Sequence, residues 1–226
     1  MIDILYEDND MIVVHKPAGL AVQSRNVAEK DVESLLRKHL RDSGAKDGYL
    51  GIVHRLDQPV EGILVFAKNP KAAAALSAQV TDKEENEGIR KEYLAVVYGR
   101  MPEEKGTLID HLEKDARSNI SRVTKDKKAG KRSVLEYEVI ATEDETQTLR
   151  IRLRTGRHHQ IRVQLSNAGC PIVGDTKYKT DASESYSKAR GVRQIQLFAD
   201  RLTILHPGTG KKMEFTVKIK KKTDHE

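Results

Sequence analysis

The sequence predicts an α+β fold: one domain over residues 1–226, built on a large mixed, mostly antiparallel sheet flanked by helices and loops. Three observations carry this. Short runs rich in branched apolar residues, bounded by Gly, Pro, Asn and Asp, recur along the chain and read as strands. Two segments, near residues 31–44 and 69–80, space their apolar residues at helical intervals behind capping residues. No internal repeat or linker divides the chain, and 226 residues are enough to bury a sizeable core.

Residues 2–6 and 11–15 predict two strands joined by the turn Glu7-Asp8-Asn9-Asp10. Lys16-Pro17-Ala18-Gly19 is a turn by composition. Asp31 is placed to cap a helix whose apolar positions Val32, Leu35, Leu36 and Leu40 share one face, and Gly44 ends it. Ile52-Val53 and residues 63–67 read as buried strand pieces. Between them Pro59 disfavours a helical Gln58, so the residues after Asp57 are expected to be extended. Asn69 and Pro70 form the cap and first residue of a second helix reaching Val80. Residues 82–87, with four acids, read as a solvated bend.

Residues 91–98 alternate as a strand that puts Tyr93, Ala95 and Val97 on one face. Residues 105–132 read as strands around a mobile basic loop. Residues 133–141 and 148–154 form a hairpin about Asp144. Ile161, Leu165 and Ala168 mark one face of a helix ending at Gly169. Residues 176–191 read as a polar loop, and 194–199, 202–206 and 213–219 as three short closing strands.

Composition narrows the function. The core must be filled by Ile, Leu and Val, because aromatic residues are 4% and Trp is absent. A single cysteine, Cys170, excludes a disulfide framework and a cysteine-based metal site. No apolar run approaches the roughly 18 residues of a membrane span, and the acidic, alternating N-terminus is unlike a signal peptide. A soluble, cytoplasmic protein is expected. The net charge of +6 is modest but concentrated. Residues 105–132 carry nine Lys/Arg against four acids, residues 150–162 five Arg and no acid, and residues 211–222 six Lys and one Glu. Three such patches on a chain of pI about 9.2 favour a polyanionic partner, through release of condensed counterions. RNA or DNA is indicated rather than a membrane.

The most informative stretch is the loop carrying His54, Arg55 and Asp57 between two apolar runs, bracketed by Gly51 and Gly62. A carboxylate beside a guanidinium, raised between core strands, is held firmly enough for chemistry. On residue type alone Asp57 reads as one more turn-forming Asp. The surrounding motifs decide between these. His54-Arg55-Leu56-Asp57 followed by Gly62-Ile63-Leu64-Val65-Phe66-Ala67-Lys68 resembles the catalytic motif of the RluA-type RNA pseudouridine synthases. The resemblance continues, in order, through Val14-His15-Lys16-Pro17-Ala18-Gly19, residues 91–99 around Tyr93, and Thr155-Gly156-Arg157-His158-His159-Gln160-Ile161-Arg162, and on into residues 169–175. It spans residues 2 to 218.

The resemblance implies a pseudouridine-synthase-like domain and an isomerase that converts uridine in ribosomal or transfer RNA to pseudouridine. It implies no cofactor and no metal, and a monomer is expected. The strand pattern begins at Ile2, so a catalytic domain without the S4-type RNA-binding domain of many relatives is expected. By resemblance Asp57 is the catalytic carboxylate, Arg162 the arginine that holds it ionised, and Tyr93 the tyrosine that stacks on the flipped base. Arg55, beside Asp57, would steady the displaced strand or a phosphate, His54 is expected to bind substrate with it, and Lys16, Arg157 and His158 match phosphate-contacting or loop-positioning residues. On residue type alone, Tyr93 reads as core and Arg162 as an exposed phosphate contact.

Some positions depart from the family pattern: Val60-Glu61 for a common Thr-Ser, His15 for Asn, Gln164 for His, and Lys179 after Tyr178 for Gly. They bear on substrate fit, since no catalytic group is lost. Two rival readings stand beside the synthase. One is a catalytically inactive RNA-binding protein on the same fold. The other is a glycosidase, which needs a second catalytic carboxylate. A kinase-like reading of residues 54–57 fails for want of the Asn and Asp-Phe-Gly elements, and His158-His159, expected to diverge by about 100° on a helix, do not chelate one metal.

Overall fold

A computed structural model describes residues 2–24, 26, 29–44, 48–81 and 88–219. In chain order the elements are β1 (Asp3–Glu7), β2 (Met11–Lys16), α1 (Val32–Asp42), β3 (Gly51–Ile52), β4 (Glu61–Ala67) and α2 (Pro70–Thr81). Then follow β5 (Arg90–Tyr98), β6 (Lys105–Asp115), β7 (Ile120–Val123), β8 (Lys131–Glu143) and β9 (Thr146–Leu153). The last are α3 (Gln160–Asn167), α4 (Asp181–Ala189), β10 (Leu197–Leu205) and β11 (Lys212–Thr216). The fold class is α+β, as expected. The chain divides into two compact units, Met1–Lys91 with Ala199–Lys218, and Glu92–Phe198.

In the first unit the strand order is β1-β2-β4-β10, with β3 on β4 and β11 on β10. β1/β2, β2/β4, β3/β4 and β10/β11 pair antiparallel. Asp8 explains the first hairpin: its Oδ1 accepts the Asp10 and Met11 N–H groups at 2.8 and 2.9 Å, the side-chain turn that Asp favours. β2 and β4 are apolar and buried, and Met11, Val13, Ile63, Val65, Ala72, Leu76, Leu202 and Ile204 form one core cluster. Each Met, Val, Ile or Leu side chain there stabilises by about 1.5–3 kcal/mol on burial. Both predicted caps are present. Asp31 accepts from Ser34 N in a capping box, and Asn69 Oδ1 accepts from Ala72 N at 2.8 Å. Gly62 has φ +147°, and a Cβ there would collide with the Ala199 carbonyl. Only glycine admits that approach of β10 to β4.

The second unit orders its strands β5-β9-β8-β6-β7, all paired antiparallel. Tyr93, Ala95 and Val97 are buried on one face of β5, as the alternation required. β8 and β9 turn at Asp144, whose φ is +39°.

Three expectations are corrected. Residues 176–191 are not all loop: α4 occupies Asp181–Ala189, started by a Thr180/Ser183 capping box. Its buried positions are Ser183 and Ser187, so it carries no apolar stripe to betray it. Residues 194–199 and 202–206 are not separate strands, because β10 runs unbroken through Asp200 and Arg201. The residues after Asp57 are not extended, since Val60 N donates to Asp57 O at 3.0 Å and closes a turn. The bend expected at 82–87 lies outside the described residues, as do positions 220–222 of the C-terminal basic patch. No helix of the described residues is long and apolar enough to cross a membrane.

Candidate active site

In the first unit the loop from His54 to Val60 is gripped from two sides. His54 is buried, and its Nε2 accepts the Val65 N–H at 3.4 Å. Burial, then the nearby Lys91 ammonium, push its pKa down to about 3, so the ring is neutral. The neutral ring braces β4 through that bond to Val65. Arg55 points the other way. It is exposed, and its Nη2 donates to Gln23 Oε1 at 2.9 Å. Leu56 and Val60 are buried on either side of the half-buried Asp57 and pin the loop.

The second grip is Lys16. Its side chain is fully buried, and its ammonium donates to the carbonyls of Pro17, Leu20 and Gln58 at 2.9, 2.8 and 3.0 Å. Gly19 N donates to the same Gln58 carbonyl at 2.9 Å, and Gln58 Nε2 returns a bond to Gly19 O at 3.1 Å. The turn 17–20 and the turn 57–60 are thereby fastened together. The three donors of the ammonium are thus spent on carbonyls of these two turns. Near the loop, His15 Nε2 lies 3.1 Å from Glu61 Oε1, so the two departures from the family pattern meet each other.

In the second unit α3 is buried nearly all round, from Gln160 to Leu165. Arg162 is 3% exposed, which removes the reading of an exposed phosphate contact. Its Nε and Nη2 donate to Asp175 Oδ2 and Oδ1, each at 2.7 Å. Burial pulls the Asp175 carboxyl upward, but the Arg162 fork and the N–H groups of Lys177 and Tyr178 outweigh it and hold the pKa below the usual carboxylate range. His158 and His159 precede α3 instead of riding on it: His159 is its N-cap at φ +53°, and the two rings stack at 3.7 Å rather than diverging. His158 Nδ1 lies 2.9 Å from Ser121 Oγ, and His159 Nδ1 lies 2.8 Å from the Tyr178 hydroxyl. Gln160 fixes the loop before the helix, accepting from Thr155 Oγ1 and Arg157 N at 2.8 and 3.0 Å. Arg157 then reaches Arg132 O at 3.4 Å. Tyr93 is 5% exposed.

The chain from residue 10 to 167 matches the RNA pseudouridylate synthase family model. This chain belongs to that family. Its members are isomerases that convert uridine in RNA to pseudouridine. Over 218 residues it is 31% identical to a ribosomal large subunit pseudouridine synthase C from Buchnera aphidicola, covering 96% of this chain and 67% of the relative. Over 219 residues it is 33% identical to the uncharacterized RNA pseudouridine synthase YlyB of Bacillus subtilis, covering 95% and 68%. The chain therefore spans about two thirds of the length of these relatives. The fold is also that of human RNA pseudouridylate synthase domain containing 4, with a TM-score of 0.77 over 97% of this chain and 89% of that one, at 20% identity.

Within the RNA pseudouridylate synthase fold, the first unit brings together Lys16, His54, Arg55 and Asp57, and the second holds Tyr93, Arg157, His158 and Arg162. Sequence reasoning missed Asp175 and Tyr178 as partners of Arg162. The signal was present: Gly174-Asp175 closes a motif already noticed, and a buried arginine always asks for a carboxylate.

Proposed function

We propose that Asp57 is the catalytic carboxylate of a uridine-to-pseudouridine isomerase acting on ribosomal or transfer RNA. The reaction breaks the N1–C1′ bond of uridine, turns the uracil and forms the C5–C1′ bond. C5 loses its proton and N1 gains one, so no redox partner is consumed. Asp57 stabilises or traps the electron-poor sugar, or takes its C2′ proton, as carboxylates do in glycosidic cleavage. Arg162 helps to aim that carboxylate, and Tyr93 stacks on the extruded base. Flipping that base costs a few kcal/mol, which the exposed Arg55 offsets from the vacated side. His158 and Arg157 serve as positioning or phosphate contacts at the start of α3. The chain works as a single catalytic domain, a cytoplasmic monomer.

The observation that supports this reading best is the loop itself. A half-buried Asp57 stands on a turn whose next carbonyl is held by a fully buried ammonium. A turn-forming Asp needs no such clamp, whereas a carboxylate that must meet C1′ does.

The test is Asp57→Asn. Conversion of uridine in RNA should be abolished, because a neutral amide neither traps the sugar nor takes a proton. RNA affinity should hold or rise slightly, because a negative charge beside phosphates is gone. Conversion near the parent's rate would remove Asp57 from the chemistry. A parent that binds RNA yet converts no uridine in total cellular RNA would favour the RNA-binding reading instead.

A further inference from the structure

Tyr178 lies against Arg162, with the guanidinium carbon 5.1 Å from the ring centroid. Three restraints fix that ring. Its backbone N–H donates at 3.2 Å to Asp175 Oδ1, the oxygen that also takes Arg162 Nη2. Its hydroxyl accepts the Ser121 N–H at 2.7 Å and meets His159 Nδ1 at 2.8 Å. Its faces and edges are packed, with Leu112 and Val163 in one cluster and the His159 ring edge-on at 5.5 Å. The residue is 8% exposed.

A guanidinium bound along one edge by a carboxylate can still tilt about that edge. An aromatic face laid against the cation removes the tilt, because the ring quadrupole attracts it most strongly face-on. We infer that Tyr178 is a positioning residue for Arg162: its ring and the Asp175 carboxylate fix the guanidinium plane, and its hydroxyl ties that plane to β7 through Ser121. The inference deepens the proposed function and rests on Arg162 serving the reaction. It also gives the β6–β7 hairpin a place in the site, since β7 anchors the tyrosine that anchors the arginine.

The test compares Tyr178→Leu and Tyr178→Phe in the full chain. Two quantities are read: single-turnover uridine conversion at saturating RNA, and solvent exchange of the Arg162 Nε–H by nitrogen-15 NMR, assigned by its loss in Arg162→Lys. Tyr178→Leu should slow conversion about tenfold or more while RNA affinity stays within about threefold, the signature of lost transition-state contact rather than lost binding. Exchange of the Nε–H should quicken by a similar factor. Tyr178→Phe, which keeps the ring, should recover most of the rate and show only a small rise in exchange. Parent-like conversion and exchange in a folded Leu variant would overturn the inference, as would a loss confined to affinity. If Leu does not fold, exchange in the Phe variant decides, and no rise there overturns it. A parent that converts no uridine would remove the catalytic reading of Arg162, yet the exchange measurement would still show whether Tyr178 holds it.

Discussion

The Lys16 ammonium donates to the carbonyl of Gln58 at 3.0 Å, so a fully buried cation holds the carbonyl of the residue next to Asp57. Burial drives the Lys16 pKa down to about 8, while Asp57 and Glu61 pull the other way. A buried charge is costly unless hydrogen-bonded. Here three converging carbonyls satisfy it, and two turns distant in sequence become one rigid piece.

Lys16→Met should therefore loosen the loop. It takes this donor from the Pro17 and Leu20 carbonyls, at roughly 1–3 kcal/mol each where water does not reach them, while the Gln58 carbonyl keeps the Gly19 N–H. Relief from burying a cation offsets part of this, so a net loss of about 2–4 kcal/mol is expected. Conversion of uridine should fall with RNA affinity little changed. The pH dependence carries its own sign. The folded pKa is depressed from 10.5 to about 8, so between these values the unfolded chain holds a proton that the folded chain has lost. Stability then rises with pH across that window. Lys91, also lowered by burial, acts with the same sign in both proteins, so a melting difference that does not change between pH 8 and 10 would refute the assignment to Lys16.

Much of this was legible in the sequence where one physical signal dominated. The strands β2, β4 and β5 announce themselves by branched apolar runs or clean alternation, and α1 and α2 by caps beside spaced apolar positions. α4 was not legible, because small polar residues fill its buried face and the capping partner at its third position is Ser rather than Glu. β10 was cut in two because Asp200-Arg201 looks like a break, yet backbone pairing tolerates polar side chains inside a strand. Asp57, Tyr93 and Arg162 stand out as site candidates through motif resemblance. Residue type alone would have made Tyr93 core and Arg162 a surface cation. The roles of Lys16 and His54 needed coordinates, since only burial separates a lysine that grips carbonyls from one that grips phosphate.

His54 makes the protein acid-sensitive above the carboxylate range. Its folded pKa is depressed from 6.5 to about 3, so its stabilisation is whole above pH 6.5 and is lost as pH falls toward 3. By pH 5 the loss should reach about 2 kcal/mol. Asp8 is held at about 2, with burial raising it and the Met11 N–H, His206 and the Asp10 N–H outweighing that. Its contribution disappears only below about pH 4, leaving the window from 5 to 6.5 to His54. Denaturant melts of the parent and His54→Gln between pH 7 and 5 check this, and equal slopes would contradict it.

The turn after β7 should supply affinity and little chemistry. Lys125, Lys127 and Lys128 are exposed there, on a turn fixed by Lys128 N to Asp126 Oδ1 at 2.8 Å. Neutralising all three should weaken RNA binding and lower the log–log salt slope by up to about 0.7–0.9 per lost phosphate contact. Conversion at saturating RNA should persist. An unchanged salt slope would mean that these lysines never meet the phosphates.

Arg162→Lys is the sharpest test of geometry against charge. Lysine keeps the positive charge but replaces a planar fork, both of whose used nitrogens lie 2.7 Å from Asp175, with a point charge on a flexible stem. One ion pair survives, so stability should fall by only about 1–2 kcal/mol. Asp175→Asn leaves a buried guanidinium facing an amide and should cost more, about 3–5 kcal/mol. Conversion should rank the other way if the guanidinium plane matters to the reaction. The Lys variant, though the more stable, should lose about a hundredfold or more in single-turnover rate, while the Asn variant keeps the arginine, and with it part of the rate, under conditions where it remains folded. Thermal melting and single-turnover conversion on the same preparations decide it. Near-parent turnover with Lys at position 162 would show that charge alone suffices there, and the roles assigned to Asp175 and Tyr178 in orienting the guanidinium would lose their purpose.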